Sequence, residues 1–208
     1  MYTPRLFRES DRVRLRALVD ANPFATVIAV EDGGGAAAME IAHLPCLVDD
    51  RLARVRLHVA RGNRLAELAA AGARLTAVFH GPHCYVTPRW YRDPARQVPT
   101  WNYAVVHASG PARVMDASEL RALVTELAAR FEAGAPAPWR PEDSAPGTID
   151  GLLGGITGIG IDIDRLEGKF KLSQNRAPDD RAGVRRGLAE RGAPGDADVL
   201  DLMRVDGD

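Results

Sequence analysis

The chain has 208 residues, 46% hydrophobic and 26% charged, with 27 Lys and Arg against 28 Asp and Glu for a formal net charge of −1. At that length and composition one domain with embellishments and a real core is expected. A near-neutral chain with no basic tail and no apolar run of spanning length argues against both nucleic acid and membrane as partners.

The first element is an amphipathic helix over 9–21, with Ser10 as its cap and Val13, Leu15, Leu18 and Val19 as its apolar face. FATVIAVE (24–31) reads as a strand, DGGG (32–35) as a turn, and 36–49 as a second strand with Pro45 at an edge or bulge. Residues 49–60 alternate apolar residues with arginines as a third strand, and 61–72 form a short helix capped by Asn63 and closed by Gly72. A fourth strand follows at 73–81, and a fifth at 101–116 with a bulge at Gly110-Pro111. DASE (116–119) opens a helix through Phe131 with a capping-box pattern. A proline-rich loop (132–147), a short helical piece at TIDGLLGGI, a sixth strand at 158–172 and a polar helix at 179–192 complete the chain. Residues 1–192 are expected as a single domain, and 193–208 as a polar, frayed tail. Strands joined by short turns with helices inserted between hairpins point to an antiparallel barrel.

Cys46 and Cys84 are far apart and lack a CxxC partner, which sets aside a zinc ribbon or a disulfide framework. The charged start MYTPRLFRESDR does not read as a signal peptide, so a reducing cytoplasm is the expected compartment.

Four groups of residues carry candidate chemistry. His58 sits near a strand end, where its imidazole either reaches into a pocket as a metal ligand or hydrogen-bonds loop backbone. In HGPHC, His80 and His83 flank a Gly-Pro turn, which fits a packed loop better than a metal cluster. Tyr85, Trp90, Tyr91, Trp101 and Tyr103 crowd a segment stiffened by Pro82, Pro88 and Pro99, read as a rigid loop rather than a ladder strand. They form either the wall of a planar cofactor or a barrel cap or interface core. Lys169 and Lys171 alternate with Phe170 and Leu172, putting two amines on one strand face. That face, with Gln174 and Asn175 beyond it, is either an anion site or a solvated basic edge.

The segments MYTPRLF, AHLPCLVD, LHVARGN, VFHGPHCYVTPRWY, VPTWNYAVVHASG and LEGKFKLSQNR, in that order from residue 1 to about 190, resemble the PaiB-like family. Its members are labelled FMN-binding negative transcriptional regulators, and one branch contains haem-dependent piperazate synthases. The resemblance implies a mainly β (α+β) fold, a six-stranded antiparallel split β-barrel with peripheral helices. It also implies a homodimer with a flat cofactor near the subunit interface. Where members often carry a histidine three residues before the HLP histidine, this sequence has Glu40 ahead of His43. That exchange changes the pocket's charge and removes a potential ligand. The branch reading implies haem b on His58, with Arg61, Asn63, Tyr85, Trp90, Trp101, Gln174 and Asn175 around the cofactor. Lys169, Lys171, Glu40, His43 and Tyr103 would then serve catalysis. The implied reaction closes N5-hydroxy-L-ornithine to L-piperazic acid through an N–N bond. The alternative is an FMN-binding PaiB-like regulator or another flavin-dependent split-barrel protein.

Overall fold

A computed structural model describes residues 1–31 and 38–205. The turn expected at 32–35 lies outside the described residues. After a 3-10 turn at Arg5–Phe7, the elements in chain order begin β1 (Arg8–Glu9), α1 (Arg12–Ala21), β2 (Phe24–Glu31), β3 (Ala38–Pro45), β4 (Leu47–Val48) and β5 (Arg54–Ala60). They continue α2 (Arg64–Ala70), β6 (Arg74–Val86), β7 (Thr100–Val114), α3 (Ala117–Glu132), α4 (Thr148–Leu153) and β8 (Ile156–Asp162). β9 (Arg165–Lys171), α5 (Pro178–Arg191) and α6 (Asp196–Val205) close the series. The strands run in the order β3-β2-β6-β7-β8-β5-β4, with β9 pairing to β1 and β7. The fold class is the expected antiparallel split β-barrel with peripheral helices. Nine strand segments rather than six build it among the described residues.

The chain forms two compact units. Unit 1 comprises Met1–Asn22, Phe79–Val106 and Glu167–Asp208, and unit 2 comprises Pro23–Val78 and His107–Leu166. In unit 2 the period-2 alternation is plain: Ala25, Val27 and Ala29 of β2 and Val55, Leu57 and Val59 of β5 are buried. Ile159 and Ile161 of β8 join them, and each such aliphatic side chain contributes about 1.5–3 kcal/mol by leaving water. α3 starts at the expected capping box, Asp116 Oδ1 accepting from Glu119 N (2.8 Å) while Glu119 Oε2 accepts from Asp116 N (3.1 Å). Its Leu123 and Leu127 pack with Leu47 and Met115. Two arginine–glutamate pairs tie it to the sheet, Arg56–Glu126 at 2.7 Å and Arg113–Glu119 at 2.7 Å.

In unit 1, α1 buries Leu15, Leu18 and Val19, but its cap is Asp11, which accepts from Val13 N (2.9 Å), and Val13 is exposed. Ser10 instead gives its N–H to Glu9 Oε1 (2.9 Å). The stretch read as a frayed tail contains α6, whose Val199, Leu200 and Met203 follow helical spacing and are buried.

Three strand expectations change. β6 continues through Gly81 and Pro82 to Val86, so the opening of the aromatic segment is strand and not loop. Gly81 permits this, because a Cβ there would lie 2.8 Å from Leu18 Cδ1 and 2.9 Å from the Ala104 carbonyl oxygen. β7 passes Gly110-Pro111 without losing its burial alternation, so no bulge forms. Gly110 is needed because a Cβ would sit 1.8 Å from the Asp162 carbonyl oxygen. The sixth strand is really two, β8 and β9, broken at 163–164. Ile163 N donates to Ala53 O (2.7 Å), Asp164 N donates to Ser109 O (3.1 Å), and Arg74 grips the Asp164 carboxylate with two 2.7 Å bonds.

Candidate cofactor sites

One concavity of unit 2 lies among β8, α3 and α4. It is a cleft of ≈630 Å³ with an apolar floor that includes Met115, Leu120, Leu153 and Ile156. β5 and β8 pair so that His58 stands opposite Gly158, which lines the cleft. A Cβ at Gly158 would lie 3.0 Å from both Cβ and Sδ of Met115, so glycine lets that thioether lie against the strand. His58 shares the strand face of Arg54 and Arg56, away from the buried Val55, Leu57 and Val59. Its Nδ1 is buried with no hydrogen-bond partner, and burial pushes the imidazole pKa down, favouring the neutral ring.

Arg61 lines the same cleft. Its backbone N–H is spent on Gly155 O (2.9 Å), while its exposed guanidinium has no partner among the described residues. The other charges there are committed. Arg121 pairs with Asp150, and Asp116 Oδ1 accepts from Ser118 Oγ (2.7 Å) as well as from Glu119 N. Those bonds hold the Asp116 carboxyl below its usual range. Asn63 caps α2 by accepting from Leu65 N (2.9 Å). Glu40 and His43 are three residues apart on β3, so they point to opposite faces of the strand. His43 is exposed and its Nδ1 lies 3.2 Å from Thr26 Oγ1.

Unit 1 carries the aromatic wall. A groove of ≈540 Å³ is lined by His80, His83, Trp101, Tyr103, Ala104 and Val105. Trp101, 52% exposed, meets the His83 ring at 6.2 Å and the edge of Tyr85 at 5.9 Å. Lys169 Nζ lies 5.4 Å from the Tyr103 ring centre and 5.9 Å from that of Tyr2, and donates to Tyr2 O (3.1 Å). Lys171 Nζ donates to Thr100 Oγ1 (2.5 Å) and Trp101 O (2.7 Å). Burial first, then the nearby Arg176 and Lys169 charges, push its pKa down.

The remaining expected residues are built into the framework. Trp90 lies against α5, where a Cβ at Gly187 would be 2.2 Å from its Cε2, and Arg191 stacks 4.9 Å over the ring. Arg191 also donates to Tyr85 O (2.9 Å) and pairs with Asp196 (2.8 Å through Nε), holding that carboxyl below its usual range. Gln174 closes the turn after β9, accepting from Leu172 N (2.7 Å) and donating to Phe170 O (2.7 Å). Asn175 is exposed in that turn. Sequence reading missed the cleft's floor and the Arg121–Asp150 pair. Its one available signal was the glycine repeat in GIGID, which marks close approach of another group to a strand. Among the described residues no group of three or more His, Cys, Asp or Glu side chains could hold a metal ion, and no helix is long and apolar enough to cross a membrane.

Unit 2 thus carries an apolar cleft rimmed by the Arg61 guanidinium, and unit 1 carries an aromatic groove. Residues 1–165 match the family described as "Putative FMN-binding domain", and the chain belongs to it. It is 30% identical over 206 residues to the protease synthase and sporulation protein PAI 2 of Bacillus subtilis (strain 168), covering 98% of this chain and 96% of that one. The fold is shared with the FAD and haem binding protein of Mycobacterium smegmatis at a TM-score of 0.63 and 21% identity, over 84% of this chain and 78% of that one. It is likewise shared with the flavocytochrome Anf3 of Azotobacter vinelandii, at 0.59 and 15%, over 81% and 72%.

Proposed function

We propose that this chain is an FMN-dependent split-barrel protein that holds its cofactor in the unit 2 cleft. The carrying observation is Arg61, the unpartnered guanidinium beside an apolar floor. Family membership and a volume inside the range usual for cofactor pockets support it. A bound flavin supplies electron and hydride chemistry. The chain's own work is narrower: Arg61 neutralises the phosphate, while Met115, Leu120 and Leu153 exclude water from the ring system.

One observation favours a second reading. Burial favours the neutral form of His58, the form in which a ring nitrogen could ligate haem iron, and its buried Nδ1 has no hydrogen-bond partner among the described residues. On this reading haem b is held by His58 with Arg61 on a propionate, and a bound haem supplies Lewis-acidic iron. The reaction is the closure of N5-hydroxy-L-ornithine to L-piperazic acid. The N–N bond forms, the N–O bond breaks, the α-amine loses a proton and water leaves, with no external oxidant. The homodimer belongs to the same proposal, with Phe24, Val30, Met39 and Ile41 as exposed apolar side chains of β2 and β3 available to a second copy. The cytoplasm, where Cys46 and Cys84 stay reduced, is the matching compartment.

The absorption spectrum of the purified protein separates the two. A flavin spectrum that Arg61→Ala weakens upholds the first reading. A Soret band that His58→Ala removes, with loss of one water from N5-hydroxyornithine by mass spectrometry, upholds the second. A protein that stays colourless after both FMN and haem are added defeats both. Sedimentation at several concentrations tests the dimer.

A further inference from the structure

Unit 1 holds another concavity that neither reading uses. Its volume is ≈260 Å³, and its apolar lining is Ala17, Leu18 and Ala21 of α1, Pro82 of β6, Phe170 of β9 and Leu202 of α6. Leu18 and Phe170 are buried at 4% and 2% exposure, so the floor is firm. Ala17 and Ala21 supply the room, since larger side chains at those two helix positions would fill it.

The charges at its rim do not cancel. Arg14 is neutralised by Glu9 at 2.7 Å, and its guanidinium lies over the Phe170 ring at 5.1 Å. Asp201 is neutralised by Arg204 at 2.8 Å. Asp198 lines the cavity too, and among the described residues it has neither a hydrogen bond nor an ion pair. A second, separate source of negative potential sits beside it. α1 ends at the cavity with Ala21 and Asn22, and its last turn carries no basic residue to answer the helix dipole. Asn22 uses its Nδ2 on Leu18 O (2.8 Å), which leaves its Oδ1 as an acceptor.

We propose that this cavity binds a small primary ammonium ion carried on an apolar body. The ammonium is held by Asp198, Asn22 Oδ1 and the carbonyl end of α1, and the body lies on Leu18, Phe170 and Leu202. Charge sets the sign of the ligand, and the two alanines set its size.

Titration of benzylammonium chloride into the protein of residues 1–208, followed by calorimetry and thermal melting, tests this. Saturable one-to-one binding that raises the melting temperature is expected. Benzyl alcohol and benzoate should bind at least about tenfold more weakly, the scale of one charge-assisted hydrogen bond. Asp198→Asn should cost the ammonium a similar factor, and Ala21→Leu should abolish binding, with the visible spectrum of any cofactor unchanged in both. Absent saturable binding, benzyl alcohol binding as tightly as the amine, or full affinity in Asp198→Asn would each overturn the proposal. Asp198 is exposed, so its variant decides the matter even if Ala21→Leu does not fold.

Discussion

The cleft of unit 2 and the groove of unit 1 both gather cations and apolar surface, yet they spend their cations differently. Lys169 and Lys171 look in sequence like a pair of free amines, but one donates to Tyr2 O and stands over two tyrosine rings. The other is bonded to Thr100 and Trp101. Arg61, set between Ala60 and Gly62, keeps its guanidinium unspent among the described residues. Counting cations along a strand therefore does not count cations available to a ligand. Backbone carbonyls and ring faces consume them first.

The sharpest way to break this contrast is mechanical. If α5 braces Trp90 in unit 1, then Gly187→Leu drives a side chain into the Trp90 ring and should destabilise the protein by about 3 kcal/mol in urea unfolding. An unchanged midpoint would mean the brace is idle. Next comes the cations themselves. Arg61→Ala should weaken retention of the added cofactor about tenfold, while Lys171→Met leaves it within about twofold, both read by equilibrium dialysis. Equal losses would erase the distinction between the two regions. Removing the start of α3 with Asp116→Ala should cost about 1 kcal/mol, because it frees the Glu119 N–H that the carboxylate satisfies.

The smallest effect concerns His58. Burial holds its pKa below the ordinary value of about 6.5, so as pH falls through that region the unfolded chain takes up a proton that the native ring resists. Stability should be fully present above about pH 6.5 and decline below it, and His58→Gln should flatten that part of the curve. Urea midpoints of both proteins at about pH 7.5 and about pH 5.5 measure the difference. Parallel curves would show that the imidazole ionises freely.

Much of this was legible in the chain. The alternation of β5, the capping box of α3 and the Asn63 cap needed only local rules, and they stand in the structure as read. The break between β8 and β9 was not legible, because IDIDRLEG holds no proline and no glycine at the break itself. Arg74, Ala53 and Ser109, far along the sequence, impose it. Pro82 misled in the other direction, marking a loop where Gly81 lets the strand continue. α6 had a visible apolar spacing in Val199, Leu200 and Met203, hidden by the aspartates around it. At the sites, the position of His58 near a strand end was legible, and β5 ends two residues beyond it at Ala60. The partner that leaves Arg121 unavailable lies 29 residues away at Asp150, which no local pattern reveals.

Unit 1 is stitched from three stretches, the last of them beginning at Glu167. The ribosome must therefore have released the stretch from Glu167 onward before unit 1 can bury Phe170, Leu188 and Met203. Until then the nascent chain carries an unfinished half, and any premature stop after residue 165 would leave the region matched to the family without the segment that completes unit 1.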